Sequence, residues 1–366
     1  MSRSSNQKRS KGKKVARPVR PKIMFSSLQF EALPNEVILH VLSYLKTVDL
    51  SICGQVSKRF RAISNDENLW PKKFNLCHKK VPVEFLRKLL DRGCKYLSLS
   101  GASLDGTLNL PKASRIKYLN LSGFRNRENS EKLLGSTYSL EKLSLSHLHL
   151  SSKLISSVSL QNGKTLMVLD LSHCSLCTDE ASWYCTPKVQ QIVENCTELM
   201  ELNLHLTKLC EKSVDILCFS LTSKIKKLNL FGIDFLKDNH VKKLVTRCNK
   251  ITELNLGGPT TLITKKSVNF ITEHLQSTLV MLDLGSSNIR FDSSDILRMK
   301  RMEKLTYLCY DHYSKWLTKQ LPNNLWIHSS EPENKTIASP CHPKLHQHQG
   351  FWEIKAERVE LFSFRF

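Results

Sequence analysis

Acidic residues are scarce in this chain: 33 Asp and Glu stand against 55 Lys and Arg, a formal net charge of +22 over 366 residues. A balance this basic favours acidic partners. Long apolar runs are missing as well. No stretch approaches the ~18 consecutive apolar residues of a membrane span, and no apolar segment follows a charged start as a secretory signal requires, so a soluble protein that stays inside the cell is expected. Signatures of nucleotide, metal and acyl chemistry are also absent: there is no P-loop, no Rossmann glycine fingerprint, no His-Glu-x-x-His and no Gly-x-Ser-x-Gly. These gaps point to a binding protein with no cofactor, no metal and no catalysis of its own.

Twelve cysteines run from Cys53 to Cys341 without an export signal, so reduced thiols are expected. His173, Cys174, Cys177 and Cys185 have the donor chemistry of zinc. Their spacing fits no zinc pattern, and Cys174 has a second explanation in the repeat described below.

The charge is concentrated at the amino terminus. Residues 1 to 24 carry nine cations, among them Lys8, Arg9, Lys11, Lys13 and Lys14, and no acidic residue. With little apolar surface to offset the entropy of ordering, residues 1–29 read as a disordered basic tail. Such a tract serves as a nuclear-import signal, contacts nucleic acid, or is a solvated tail. Stacking on bases needs aromatic residues among the cations, and this tract has none, which disfavours nucleic acid.

Residues 30–76 read as a small helical module. Leu33, Val37, Val41, Tyr44 and Leu45 recur at three- and four-residue steps, with Ile38 and Leu42 beside them. Pro34 suits a first helical position and Glu36 the first turn. Asp49 reads as the N-cap of a second helix, and Val56, Phe60 and Ile63 as a third. Three short helices make a core too small to be comfortable alone, so one apolar face is expected to be shared.

From residue 77 to 318 the pair x-Leu-x-Leu-x repeats: Leu97/Leu99, Leu119/Leu121, Leu143/Leu145, Leu169/Leu171, Leu202/Leu204, Leu228/Leu230, Leu254/Leu256 and Leu282/Leu284, with a degenerate ninth copy at Leu305/Tyr307. The steps are 22, 24, 26, 33, 26, 26, 28 and 23 residues, the period of a leucine-rich-repeat solenoid of the α/β class. Cys174 occupies the repeat's Asn/Cys position. The long step implies an inserted loop within Cys177–Pro187, bearing Trp183 and Tyr184. Positions alternating with the buried leucines are expected on the concave face. Of these, Glu201, His205, Lys227, Phe231, Glu253 and Asn255 are candidate contacts for a protein substrate. The alternative is that the asparagines merely build the repeat.

A C-terminal extension, 319–366, carries Pro322, Pro332, Pro340 and Pro343, with His342, His346 and His348 in a polar stretch. A strand pattern then spans Phe351 to Leu361.

Leu33-Pro34-x-Glu36, Leu42-x-x-Leu45, Leu50, Val56-x-Lys58-Arg59-Phe60 and Asn68-Leu69-Trp70, followed by the repeats, resemble the F-box/leucine-rich-repeat substrate receptors of SCF-type cullin–RING ubiquitin ligases. The S-phase kinase-associated class is the nearest in arrangement, through Thr336-Ile337-Ala338-x-Pro340 and Trp352-x-Ile354-Lys355. The resemblance implies a non-catalytic subunit whose helices dock on the Skp adaptor, and through it on the cullin–RING ligase. Leu33, Pro34, Glu36, Leu42, Leu45, Leu50 and Val56 would lie in or near that contact, with Trp70 closing the module. It also implies protein substrates, phosphorylated segments and cell-cycle regulators among them, bound for proteasomal degradation; a small accessory protein; an extension folding back on the concave face; and a location in nucleus and cytoplasm. One departure is visible. Where that class presents aromatic and basic side chains after late strands, this chain has Leu206, Ile233, Gly258 and Ser286. A repeat scaffold without a ligase role, or a basic-tail protein associated with nucleic acid, remain the alternatives.

Overall fold

The computed structural model describes residues 33–66, 68–70, 73–110, 115–176, 185–311 and 325–328. The basic tail, Trp183 and Tyr184 of the insertion, and the histidines and strand pattern of the C-terminal extension lie outside the described residues. The chain divides into two compact units, one ending at Leu69 and the other beginning at Trp70.

The first unit holds helices α1 (Asn35–Leu42), α2 (Thr47–Val56) and α3 (Lys58–Ser64), with α3 packed on both α1 and α2. Ser57 caps α3, its hydroxyl accepting from the Phe60 N–H at 3.1 Å. Arg59 of α3 ties down the start of α1, donating from Nε to Asn35 Oδ1 at 2.9 Å and from its other end to the Leu33 carbonyl. Three local expectations shift by a residue or two. Pro34 is the N-cap of α1 rather than its first helical residue, Asp49 lies in the first turn of α2 rather than capping it, and Val56 closes α2 instead of opening α3.

The second unit is a repeat array. Its elements are β1 (Lys73–Asn75), β2 (Lys80–Pro82), α4 (Val83–Asp91), β3 (Tyr96–Ser98), β4 (Ser103–Asp105), β5 (Tyr118–Asn120), α5 (Arg127–Gly135), β6 (Lys142–Ser144), α6 (Ser152–Asn162) and β7 (Val168–Asp170). They continue as α7 (Cys185–Asn195), β8 (Glu201–Asn203), α8 (Glu211–Ser220), β9 (Lys227–Asn229), α9 (Asp238–Arg247), β10 (Glu253–Asn255), α10 (Lys265–His274), β11 (Met281–Asp283), α11 (Ser293–Met299), β12 (Tyr307–Cys309) and β13 (Trp326–His328). Among the described residues eleven strands form one all-parallel sheet in the order β1-β3-β5-β6-β7-β8-β9-β10-β11-β12-β13, and β2 pairs with β4 apart from it.

Each leucine at the centre of a strand pairs in register with the next: Leu97, Leu119, Leu143, Leu169, Leu202, Leu228, Leu254 and Leu282. All are 0–2 % exposed, each contributing roughly 1.5–3 kcal/mol by burial. Helices α5 to α11 pack successively against one another behind the sheet. This is the leucine-rich-repeat α/β architecture that the period predicts.

Three boundaries differ from the sequence reading. Leu282 pairs with Leu308, so the ninth copy is Leu308/Tyr310, three residues beyond the expected Leu305/Tyr307. Leu305 is instead a buried residue of the turn leading into β12. The sheet also begins at Lys73, inside the stretch assigned to the helical module, and continues through β13, inside the C-terminal extension. Both end strands lack the paired leucines on which the period was read, which is why the count missed them. Trp70 goes with this unit rather than closing the helical one: it is 4 % exposed, and the Arg92 guanidinium stands 3.5 Å from its ring centroid.

Of the ten described cysteines, nine are free thiols and Cys185 is disulfide-bonded, which corrects the expectation that all are reduced. Cys174 is buried with its thiol donating to the Leu145 carbonyl at 3.1 Å, the structural role its repeat position implied.

Candidate functional site

In the helical unit α1 is two-faced. Ile38 and Leu42 are 0 % and 2 % exposed, while Val37 and Val41, one position earlier, are each 42 % exposed. Tyr44 at 77 %, Ile52 at 57 % and Val56 at 71 % extend the exposed apolar set onto the following turn and α2. So many large apolar side chains open to solvent on so short a segment mark a contact surface. Of the residues assigned to adaptor binding, Val56, Pro34 and Glu36 are exposed and Leu33 and Leu45 half-buried. Leu42 and Leu50 are buried, at 2 % and 0 %, so they face inward rather than presenting a surface. Periodicity alone does not tell the inner side of a thin helix layer from the outer when both are apolar. For that reason Val37, Val41, Tyr44 and Ile52 were left out of the contact set.

In the repeat unit the candidate residues Glu201, Lys227 and Glu253 align across β8, β9 and β10 at the first position of each strand. Lys227 Nζ lies 3.1 Å from Glu253 Oε1 and 3.9 Å from Glu201 Oε1, a half-exposed triad of net charge −1. Asn255 takes a different part. It is 6 % exposed, its Oδ1 accepts from the Gly257 N–H at 3.0 Å, and its Nδ2 donates to Asp283 Oδ2 at 3.0 Å. Asn203, Asn229 and Asn120 make the same bond to the N–H two residues on. The side chain at this position closes the turn after each strand, so Asn255 is a building element of the repeat and its polar atoms are not offered to a ligand.

His205 and Phe231, just past β8 and β9, belong to a ladder of rings crossing four repeats. His147 stacks on His173 with centroids 4.4 Å apart and planes 8° from parallel. His173 meets His205 edge-on at 5.0 Å, and His205 stacks on Phe231 at 4.8 Å. His147 and His173 each hold a left-handed backbone, with φ of 60° and 54°, as do Leu206 and Ser286 at the equivalent turn. Ile233 is not at that turn position; Gly232 is, and Ile233 is buried. The ladder was legible only as Leu-Ser-His in two successive repeats, Leu145–His147 and Leu171–His173.

Burial, then the neighbouring His173, pushes the His205 imidazole down to about 4 against a pull upward from Asp170. Burial and then His147 lower His173 as well. The unfolded state therefore binds more protons between pH ~6.5 and ~4. The stability this environment contributes is complete above about pH 6.5 and is lost as the pH falls toward 4. Allowing for solvent screening, the loss is on the order of 1 kcal/mol. Thermal unfolding at pH 7 and 5 should show a lower midpoint at pH 5, and His205→Phe, which keeps a ring against Phe231, should shrink that difference. An unchanged difference would place its origin elsewhere.

Among the described residues no group of three or more His, Cys, Asp or Glu side chains is placed to hold a metal ion, and no helix is long and apolar enough to cross a membrane.

A helical unit with an exposed apolar face and a leucine-rich-repeat unit with a charged open sheet are the two parts of an F-box/leucine-rich-repeat protein. The chain belongs to the family described as SKP2 LRR domain, which matches residues 84–358, and an F-box-like family matches residues 30–75. Among solved structures it is similar to a chain of the crystal structure of the Rad7 and Elc1 complex in yeast, with 18 % identity, a TM-score of 0.36, and coverage of 80 % of this chain and 91 % of that one.

Proposed function

We propose that this protein is the substrate-recognition subunit of an SCF-type cullin–RING ubiquitin ligase. The observation that carries the reading is the exposed apolar set Val37, Val41, Tyr44, Ile52 and Val56 on a unit matched by an F-box-like family. These side chains take the Skp adaptor, and through it the cullin. The open sheet of the repeats holds the target protein, cell-cycle regulators and phosphorylated proteins being the expected class. The subunit needs no catalytic residue, because holding a target's lysines beside a charged conjugating enzyme raises their effective concentration. Ubiquitinated targets then pass to the proteasome. Lys8, Arg9, Lys11, Lys13 and Lys14 act as a nuclear-import signal, giving a distribution between nucleus and cytoplasm.

The test is co-purification of Skp adaptor and cullin with the intact chain and with one lacking residues 30–69, a deletion that spares β1 of the sheet. Capture of both by the intact chain alone is expected. Equal capture by the two, or none by a folded intact chain, would leave a repeat scaffold without a ligase role.

A further inference from the structure

Four side chains cross the first four strands of the large sheet in one unbroken row. Lys73, Tyr96, Tyr118 and Lys142 stand at the first position of β1, β3, β5 and β6, in register. Lys73 Nζ lies 5.0 Å from the Tyr96 ring centroid, the two tyrosine centroids are 4.3 Å apart, and Lys142 Nζ lies 5.2 Å from the Tyr118 centroid. All four are half-buried. The Tyr118 hydroxyl shares hydrogen bonds with the Glu141 carboxylate and the Tyr96 hydroxyl, and Glu141 is also paired with Lys117. At the other outward position these strands carry Asn75, Ser98, Asn120 and Ser144, amides and hydroxyls with no acid among them. Lys95 and Lys117, just before β3 and β5, add further positive charge.

The sign reverses along the same face. From β7 to β11 the outward positions carry Asp170, Glu201, Glu253 and Asp283, with Lys227 the one cation among them. The sheet face is therefore a dipole, cationic and aromatic over its first strands and acidic over its later ones.

We infer that the row Lys73, Tyr96, Tyr118 and Lys142 seats the acidic end of an extended peptide segment of mixed charge, whose basic end lies over β7 to β11. The inference rests on the reading of the repeats as the target-binding unit and names what the target must carry. Ammonium groups and phenol hydroxyls donate to carboxylate or phosphate oxygens, and the rings hold the lysine stems in place. Strands lie about 4.8 Å apart, so the row spans roughly 14 Å, or about four residues of extended chain. The whole dipole from β1 to β11 spans roughly 38 Å, about 11–12 residues. A uniform polyanion such as single-stranded RNA would be held at one end and repelled along the rest. A peptide with its two charges segregated matches both halves.

The test is fluorescence anisotropy of the full chain with three labelled probes: a peptide of about 12 residues, glutamates at one end and lysines at the other; the same peptide with phosphoserines among the glutamates; and oligouridylate of equal length. Both peptides should bind, and the tighter of them identifies carboxylate or phosphate as the preferred anion. Lys73→Glu with Lys142→Glu should weaken binding at least about tenfold and flatten its salt dependence. The double methionine variant, which keeps the stems and folds with least disturbance, should fall between. Affinity unchanged in a charge-reversed chain of native circular dichroism overturns the inference, as does failure of both peptides to bind or tighter binding of oligouridylate. Adaptor capture by the same preparations separates this failure from that of the ligase reading: capture retained with no peptide preference sinks only the dipole.

Discussion

Val37→Asp combined with Val56→Lys is expected to abolish capture of the Skp adaptor, weakening it at least thirtyfold (about 2 kcal/mol), while leaving the unfolding midpoint of the protein within a degree or two. Val37 and Val56 are 42 % and 71 % exposed, so neither replacement opens a cavity, and exposed substitutions usually stay within about 0.5 kcal/mol. The charges are chosen for their places in the helices. Val37 lies in the first turn of α1, where a carboxylate complements the macrodipole, and Val56 is the last residue of α2, where an ammonium does. The fold is thus favoured locally while an apolar contact receives two charges that must be desolvated without partners. Leu42→Asp tests nothing by comparison: at 2 % exposure it buries a carboxylate inside the unit and removes fold and binding together. Capture undiminished in the double variant would sink the assignment of this face to the adaptor, whatever the repeats bind.

The repeats were legible because their physics is periodic. A leucine that must enter the interior at every turn of a solenoid leaves a mark about 26 residues apart, and the marks from Leu97 to Leu282 fall on the central residue of each strand. The ends were illegible for the converse reason, since Phe74 in β1 and Ile327 in β13 pair in register without the second leucine of the motif. In the helical unit the pattern located the helices but not their sides. Val37 and Ile38 are neighbours of similar hydropathy, and only packing against α3 turns the second inward. The candidate sheet residues were sorted by chemistry the sequence does not write. Asn255 and Glu253 look alike as outward polar positions, yet one closes a turn and the other faces a lysine. The row from Lys73 to Lys142 was invisible for a related reason. Its members lie in separate repeats, and nothing in one repeat hints at the ring its neighbour supplies.

Asn162→Leu is expected to cost the repeat unit about 3–5 kcal/mol, the largest stability effect of any single polar side chain considered. Asn162 is the last residue of α6 and 0 % exposed. Its Oδ1 accepts from the Leu140 N–H at 3.0 Å, and its Nδ2 lies 3.2 Å from the Thr137 carbonyl, 3.3 Å from Thr137 Oγ1 and 3.1 Å from the Ser157 carbonyl. One amide thus supplies buried backbone groups of the preceding repeat with partners that its own elements do not provide. Asn129 does the same one repeat earlier, accepting from the Leu108 N–H and donating to the Gly106 carbonyl. Leucine has nearly the amide's volume, so the cavity term is small, and the loss comes from the Leu140 N–H and Thr137 carbonyl left buried without partners. Asn195→Leu is the control. It stands at the same place at the end of α7, but its Nδ2 bonds only within its own helix, to the Gln191 carbonyl, so a loss below about 1 kcal/mol is expected. Denaturant unfolding of the two variants, read with hydrogen exchange, should show the larger loss in Asn162→Leu and early exchange of the amides around β5 and β6. In a repeat array damage at one interface uncouples its neighbours before the rest unfolds. Equal, small losses in both variants would mean that the leucine stack alone holds adjacent repeats together.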